Sequence, residues 1–91
     1  VFSIVTPERF LRQSRRFFKD HPDLKPRFAR LITDLQSDPC APHLKLHPLK
    51  GRLEGCHAVR LTYSYRVTLT LAIRKKEIVL LDIGSHDEVY C

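Results

Sequence analysis

Three stretches of the chain carry residue types suited to proton transfer beside an anion. The first is Lys45-Leu46-His47-Pro48-Leu49-Lys50-Gly51, where an imidazole stands between two lysines. Nearby cations favour the neutral imidazole, which can accept a proton at neutral pH. The second is Gly84-Ser85-His86-Asp87-Glu88-Val89-Tyr90, with a histidine just past an apolar run and a tyrosine four residues later. Loops after strand ends often hold catalytic groups; histidine shuttles protons, and tyrosine stacks on a base or bonds a phosphate. The third is the pair Arg60 and Arg66. The planar fork of arginine donates two hydrogen bonds to phosphate oxygens.

Each stretch also has a plainer reading. Basic and Thr side chains are common on a solvated sheet face, and a surface loop can hold an incidental histidine. Ser85 with Asp87 and Glu88 suits a helix N-terminus as well as a catalytic loop. Other chemistries find less support. His43 and His47 are spaced to share a metal only on a helix, which Pro48 opposes, so no metal site is expected. Cys56 and His57 are adjacent, so on a strand they point to opposite faces and make a poor nucleophile–base pair. There is no Gly-rich phosphate loop and no G-x-S-x-G elbow.

The elements that must position these groups follow from periodicity. Phe2 to Val5 reads as a short strand. Thr6-Pro7-Glu8 reads as a helix start, with Thr6 as cap and Pro7 in the first turn. Phe10, Leu11, Ser14, Phe17 and Phe18 then repeat at helical spacing until His21-Pro22. A second helix is predicted from Asp23 to Gln36, with Leu24, Phe28, Leu31, Ile32 and Leu35 on one face. Cys40 to Gly55 reads as a long, mostly irregular loop with a short strand near Leu44–Leu46. Long loops in small domains are often functional.

From His57 onward the pattern is β. Val59 and Leu61 alternate with Ala58, Arg60 and Thr62, and Tyr63-Ser64 turns the chain. Val67, Leu69, Leu71 and Ile73 then alternate with Arg66, Thr68 and Thr70. Arg74-Lys75-Lys76 is a charged turn, and Glu77 to Ile83 is an apolar strand ended by Gly84. The expected fold is α+β in the order β-α-α-β-β-β. A two-helix hairpin covers one face of an antiparallel sheet, and the other face is left partly open with Arg60 and Arg66 on it.

Ninety-one residues suffice for one domain, 1–91, and are too few for two. The net charge of +6 favours a polyanion or an acidic protein as partner. No apolar run is long enough to span a membrane, and no cationic segment followed by an apolar one suggests a secretory leader. Cys40, Cys56 and Cys91 are odd in number and widely spaced, which fits reduced thiols and a cytoplasmic location.

The β-α-α-β-β-β order, the Leu46-His47-Pro48-Leu49-Lys50-Gly51 loop, the Tyr65-Arg66-Val67 strand start and the Ile83-Gly84-Ser85-His86-Asp87-Glu88-Val89-Tyr90 ending resemble the RelE/ParE superfamily of bacterial toxins. The loop and the ending are most similar to its YafQ-like branch, and the resemblance spans nearly the whole chain. It implies the toxin of a type II toxin–antitoxin system, a ribosome-dependent endoribonuclease that cleaves messenger RNA without a metal or other cofactor. It also implies site roles. His47 and His86 are the general base and general acid, an assignment that can be reversed. Arg66 stabilises the phosphate, and Tyr90 stacks on or orients the substrate. Lys45, Lys50 and Arg60 bind RNA, although Arg60 differs in type from the polar residue of that branch. The implied partners are the messenger RNA, the ribosome's decoding site and a cognate antitoxin, in a heterotetramer or larger complex. The chain departs from RelE itself in having only part of its lysine set, and His86 where arginine is frequent. The same superfamily implies an alternative, a ParE-like inhibitor of DNA gyrase with no nuclease activity; the two histidines weigh against it.

Overall fold

The computed structural model describes residues 1–51 and 55–85. Strand β1 (Ser3–Val5) leads into helix α1 (Glu8–Asp20), and a single 3-10 turn at Pro22–Leu24 leads into α2 (Lys25–Ser37). A second 3-10 turn at Pro42–Leu44 precedes β2 (His47–Pro48), and β3 (His57–Arg60), β4 (Tyr65–Ala72) and β5 (Glu77–Ser85) follow. The sheet order is β1-β5-β4-β3-β2. No helix among the described residues is long and apolar enough to cross a membrane.

The helix ends follow local chemistry. The Pro7 carbonyl accepts from Leu11 N–H at 3.0 Å, so Pro7 caps α1, displacing the expected Thr6, and makes no side-chain cap bond. Proline lacks the N–H that a first-turn residue would leave unpaired. Glu8 in the first turn and Lys19 in the last complement the helix dipole. Helix α2 stops at Asp38, whose side chain accepts from Cys40 N–H at 3.0 Å and turns the chain out of the helix.

Both helices lie on one sheet face. Phe10 of α1 and Leu31 and Leu35 of α2 share a buried cluster with Val59, Val67, Leu69, Ile78, Leu80 and Ile83 of the sheet. Phe10 and Phe28 stack across the helix pair with ring centroids 6.2 Å apart.

The three C-terminal strands form the expected antiparallel meander, but the whole sheet is mixed. β1 lies parallel to β5, with Ser3 opposite Glu77 and Val5 opposite Val79. Both helices and strands β2, β3 and β4 lie between β1 and β5 in the chain, so their parallel pairing needs no tight turn. The loop strand is also displaced from Leu44–Leu46 to His47–Pro48, where it pairs antiparallel with β3. Leu44 is buried in the core and Leu46 packs against it, so neither is available as an edge strand. Ile73 falls beyond the end of β4 and is 58% exposed rather than continuing the inward row. β5 runs on to Ser85, past the expected stop at Gly84.

One irregularity in β5 sets which of its residues face away from the helices. Thr68 faces Asp82 while Leu69 faces Leu80, so Leu81 is an extra residue bulged out of register. Before the bulge Ile78 and Leu80 point into the core; after it Ile83 does. A strand alternates faces, so changing from even to odd inward positions requires such a bulge. It turns Asp82 and Gly84 onto the face away from the helices.

Candidate functional site

The sheet face opposite the helices carries two cross-strand rows. One runs His47, Ala58, Thr68, Asp82, and the other Arg60, Arg66, Gly84. His47 and both arginines therefore share a face because β2, β3 and β4 are in register. Lys45, His47, Arg60 and Arg66 line one depression of about 170 Å³. Four of the seven residues singled out from the sequence thus come together there. Lys50 is exposed but stands outside the depression. His86 and Tyr90 lie outside the described residues.

The His47 ring has a fixed orientation. Its Nδ1 lies 2.8 Å from the Lys45 carbonyl oxygen, which can only accept, so Nδ1 is the protonated nitrogen. In the neutral ring, Nε2 then keeps its lone pair. The carbonyl is brought round by Lys45 itself, which adopts a left-handed conformation with φ 55° and ψ 40°. Left-handed backbone is uncommon for a residue with a Cβ and gathers at functional sites. His43, by contrast, is drawn away. Its Nε2 lies 2.9 Å from Asp34 Oδ2 on α2, so the two loop histidines do not share a ligand position. Among the described residues no group of three or more His, Cys, Asp or Glu is placed to hold a metal.

Arg60 and Arg66 are direct cross-strand partners. Like charges in that arrangement repel and weaken the sheet. The face is less open than the alternation suggests, because Ala58 and Thr68 are both fully buried. The Ala58 methyl stands between the larger His47 and Thr68. The Thr68 hydroxyl and His57 Nδ1 are buried without a hydrogen-bond partner among the described residues.

Two supporting features were not apparent from the sequence. The Gln13 amide donates to the Ile83 carbonyl at 3.0 Å and accepts from the Ile83 N–H at 3.3 Å. It thereby closes the edge of β5 beyond the end of β1, immediately before Gly84-Ser85. A polar residue on a helix gives no signal of such a role until the strand edge beside it is known. One turn earlier, Arg9 pairs with Asp82 at 3.4 Å.

Burial raises the Asp82 carboxyl above its usual range, and the Arg9 charge partly offsets this. The folded state thus binds this proton more tightly than the unfolded chain. The associated stability is greatest at acid pH and is lost as pH rises through the folded pKa. Asp82→Asn is therefore expected to melt at or above the wild-type temperature at pH 7. That advantage should disappear below the unfolded pKa near 3.8. Thermal melts at pH 7 and pH 3.5 check both points; a variant less stable only at pH 7 would contradict the assigned direction.

No family model matches the chain, and no curated protein matches it. Solved structures do. The YafQ structure from E. coli strain BL21(DE3) superposes with a TM-score of 0.81 at 18% identity, covering 100% of each chain. A metal-bound toxin from Helicobacter pylori gives 0.79 at 27% identity, covering 98% of this chain and 99% of that one. The E. coli DinJ-YafQ toxin-antitoxin complex gives 0.79 at 20% identity, covering 99% and 98%. The chain therefore has the α+β fold seen in YafQ and in a YoeB/ParE toxin.

Proposed function

We propose that this protein is the toxin of a type II toxin–antitoxin system and an endoribonuclease that cuts messenger RNA on the ribosome. The observation that carries this reading is the His47 ring, held by the Lys45 carbonyl with Nε2 left to accept a proton, in one depression with Arg60 and Arg66. In the proposed reaction, Nε2 takes the proton of a ribose 2′-hydroxyl. The 2′-oxygen attacks the adjacent phosphorus, and the bond to the 5′-oxygen breaks. The products are a 2′,3′-cyclic phosphate and a free 5′-hydroxyl. Arg66 and Arg60 offset the charge that grows on the phosphoryl oxygens. His86 returns a proton to the leaving oxygen, and Tyr90 orients the substrate; the two histidines can exchange roles. Lys45 and Lys50 hold flanking phosphates. The chemistry needs no metal, since base, acid and cations are all side chains.

Solved relatives include a toxin bound to its antitoxin. The partner proposed here is likewise an acidic or amphipathic antitoxin that covers the basic face, in a heterotetramer or larger complex in the cytoplasm. The test is to add the purified chain to a translating extract and map new 5′ ends on the message. Cuts in frame with codons, bearing 5′-hydroxyls, are expected. Intact message at excess protein would overturn the nuclease reading. A DNA supercoiling assay would then examine gyrase inhibition.

A further inference from the structure

The depression holding His47 has a neighbour. Arg60, Thr62 and Tyr63 also line a second, larger hollow of about 690 Å³, whose far wall is Arg27 and Arg30 of α2. Arg60, Thr62 and Tyr63 border both hollows, which therefore adjoin at the turn between β3 and β4, one beside the imidazole and the other beside the second helix. Tyr63 stands at the junction with 92% of its surface exposed. An aromatic ring so exposed contributes nothing to the core, yet its backbone is well held. The Thr62 hydroxyl accepts from both Ser64 N–H and Tyr65 N–H at 3.2 Å, and Thr62 N–H donates to the Tyr65 carbonyl at 3.1 Å. The hairpin tip therefore presents the ring from a fixed base.

The larger hollow's charge is mainly positive. Arg27, Arg30 and Arg60 face it, and of its two acids Asp34 is already turned onto His43 at 2.9 Å, leaving Asp23. Cations spaced along adjoining hollows with an exposed aromatic between them suit a flexible strand bearing phosphates and flat bases. Base–aromatic stacking tolerates any base, because each has a π-face, and arginines track the phosphates. An acidic protein segment would engage the arginines, but only a base-bearing strand gains ring-on-base stacking at Tyr63.

We infer that Tyr63 stacks on a nucleobase flanking the scissile phosphate, and that Arg27 and Arg30 carry the single-stranded RNA onward along α2. This rests on the ribonuclease reading above and extends its substrate contacts to several nucleotides beyond the cut.

The test is binding of fluorescein-labelled 2′-O-methyl RNA, whose blocked 2′-oxygens prevent the proposed cleavage. A 12-mer and a 4-mer are titrated by fluorescence anisotropy at several salt concentrations. The 12-mer should bind more tightly than the 4-mer. Tyr63→Ala should weaken 12-mer binding by about 5- to 150-fold, and Tyr63→Phe should restore it, as loss of one stacking platform requires. The Arg27→Ala/Arg30→Ala double variant should reduce the slope of log affinity on log salt by about 1–2. Wild-type affinity in Tyr63→Ala, or equal binding of the two lengths, would overturn the inference. So would a Tyr63→Ala defect confined to an acidic peptide. Message mapping in the translating extract separates the two claims. Cleavage by wild type with RNA binding indifferent to Tyr63 sinks the Tyr63 inference alone. Intact message with Tyr63-dependent RNA binding sinks the nuclease reading alone.

Discussion

His47→Ala is expected to slow message cleavage by about 100- to 10,000-fold, the usual contribution of a positioned general base. The size of the effect follows from how the ring is held. The Lys45 carbonyl fixes the tautomer through Nδ1, which leaves the Nε2 lone pair on a residue that lines the same depression as Arg60 and Arg66. The side chain is exposed, so its removal should leave the melting temperature within a degree or two. The measurement is the initial rate of appearance of new 5′ ends in a translating extract, with wild type and variant at equal concentration. A variant that cuts at the wild-type rate would remove His47 from the chemistry and leave it a loop residue. A variant that is slow and also unfolded would assign the ring a structural role.

Leu80→Ala should cost about 2–5 kcal/mol of stability, the range for truncating a fully buried leucine. Leu80 is 0% exposed, faces Leu69 across β4 and β5, and immediately precedes the bulged Leu81. A cavity there removes packing at the point where β5 changes its inward parity. A small domain is stable by only about 5–15 kcal/mol. The melting temperature should therefore fall by at least about 8 °C, at about 4–8 °C per kcal/mol for a domain of this size. Val79→Ala, one residue earlier on the half-buried face, should cost less than half as much. Thermal unfolding followed by circular dichroism compares them. Equal losses at the two positions would mean that the alternation assigned to β5 is wrong.

Much of the architecture was legible before any coordinates. The helical repeat of Phe28, Leu31 and Leu35 and the alternation of Val67 and Leu69 identify core faces, because buried apolar side chains must recur with the period of the backbone that carries them. Those periods do not report which strand lies beside which. The parallel pairing of β1 with β5 is a contact between residues more than seventy positions apart. Its hydrogen bonds use backbone groups that every residue type possesses. The bulge at Leu81 was hidden for a related reason. Ile78-Val79-Leu80-Leu81 is an unbroken apolar run, so no alternation survives within it to mark where the change of face occurs.

The site divides in the same way. His47 between two lysines, and arginines at Arg60 and Arg66, were marked out by residue type and local pattern, since proton transfer and phosphate binding demand particular side chains wherever they sit. Their convergence depends on register: His47 opposite Ala58, and Arg60 opposite Arg66. A slip of one residue would turn either set to the other face. The protonated nitrogen of His47 depends on the left-handed turn at Lys45, and the hold on Ile83 depends on Gln13 arriving from a helix packed beside an open strand edge. The sequence by itself determined which chemistry this chain can carry and which faces it must bury, because those follow from side-chain type and local period. Only the tertiary structure decided which groups meet and which atom of each is presented, because strand order, register and edge contacts arise between segments far apart in the chain.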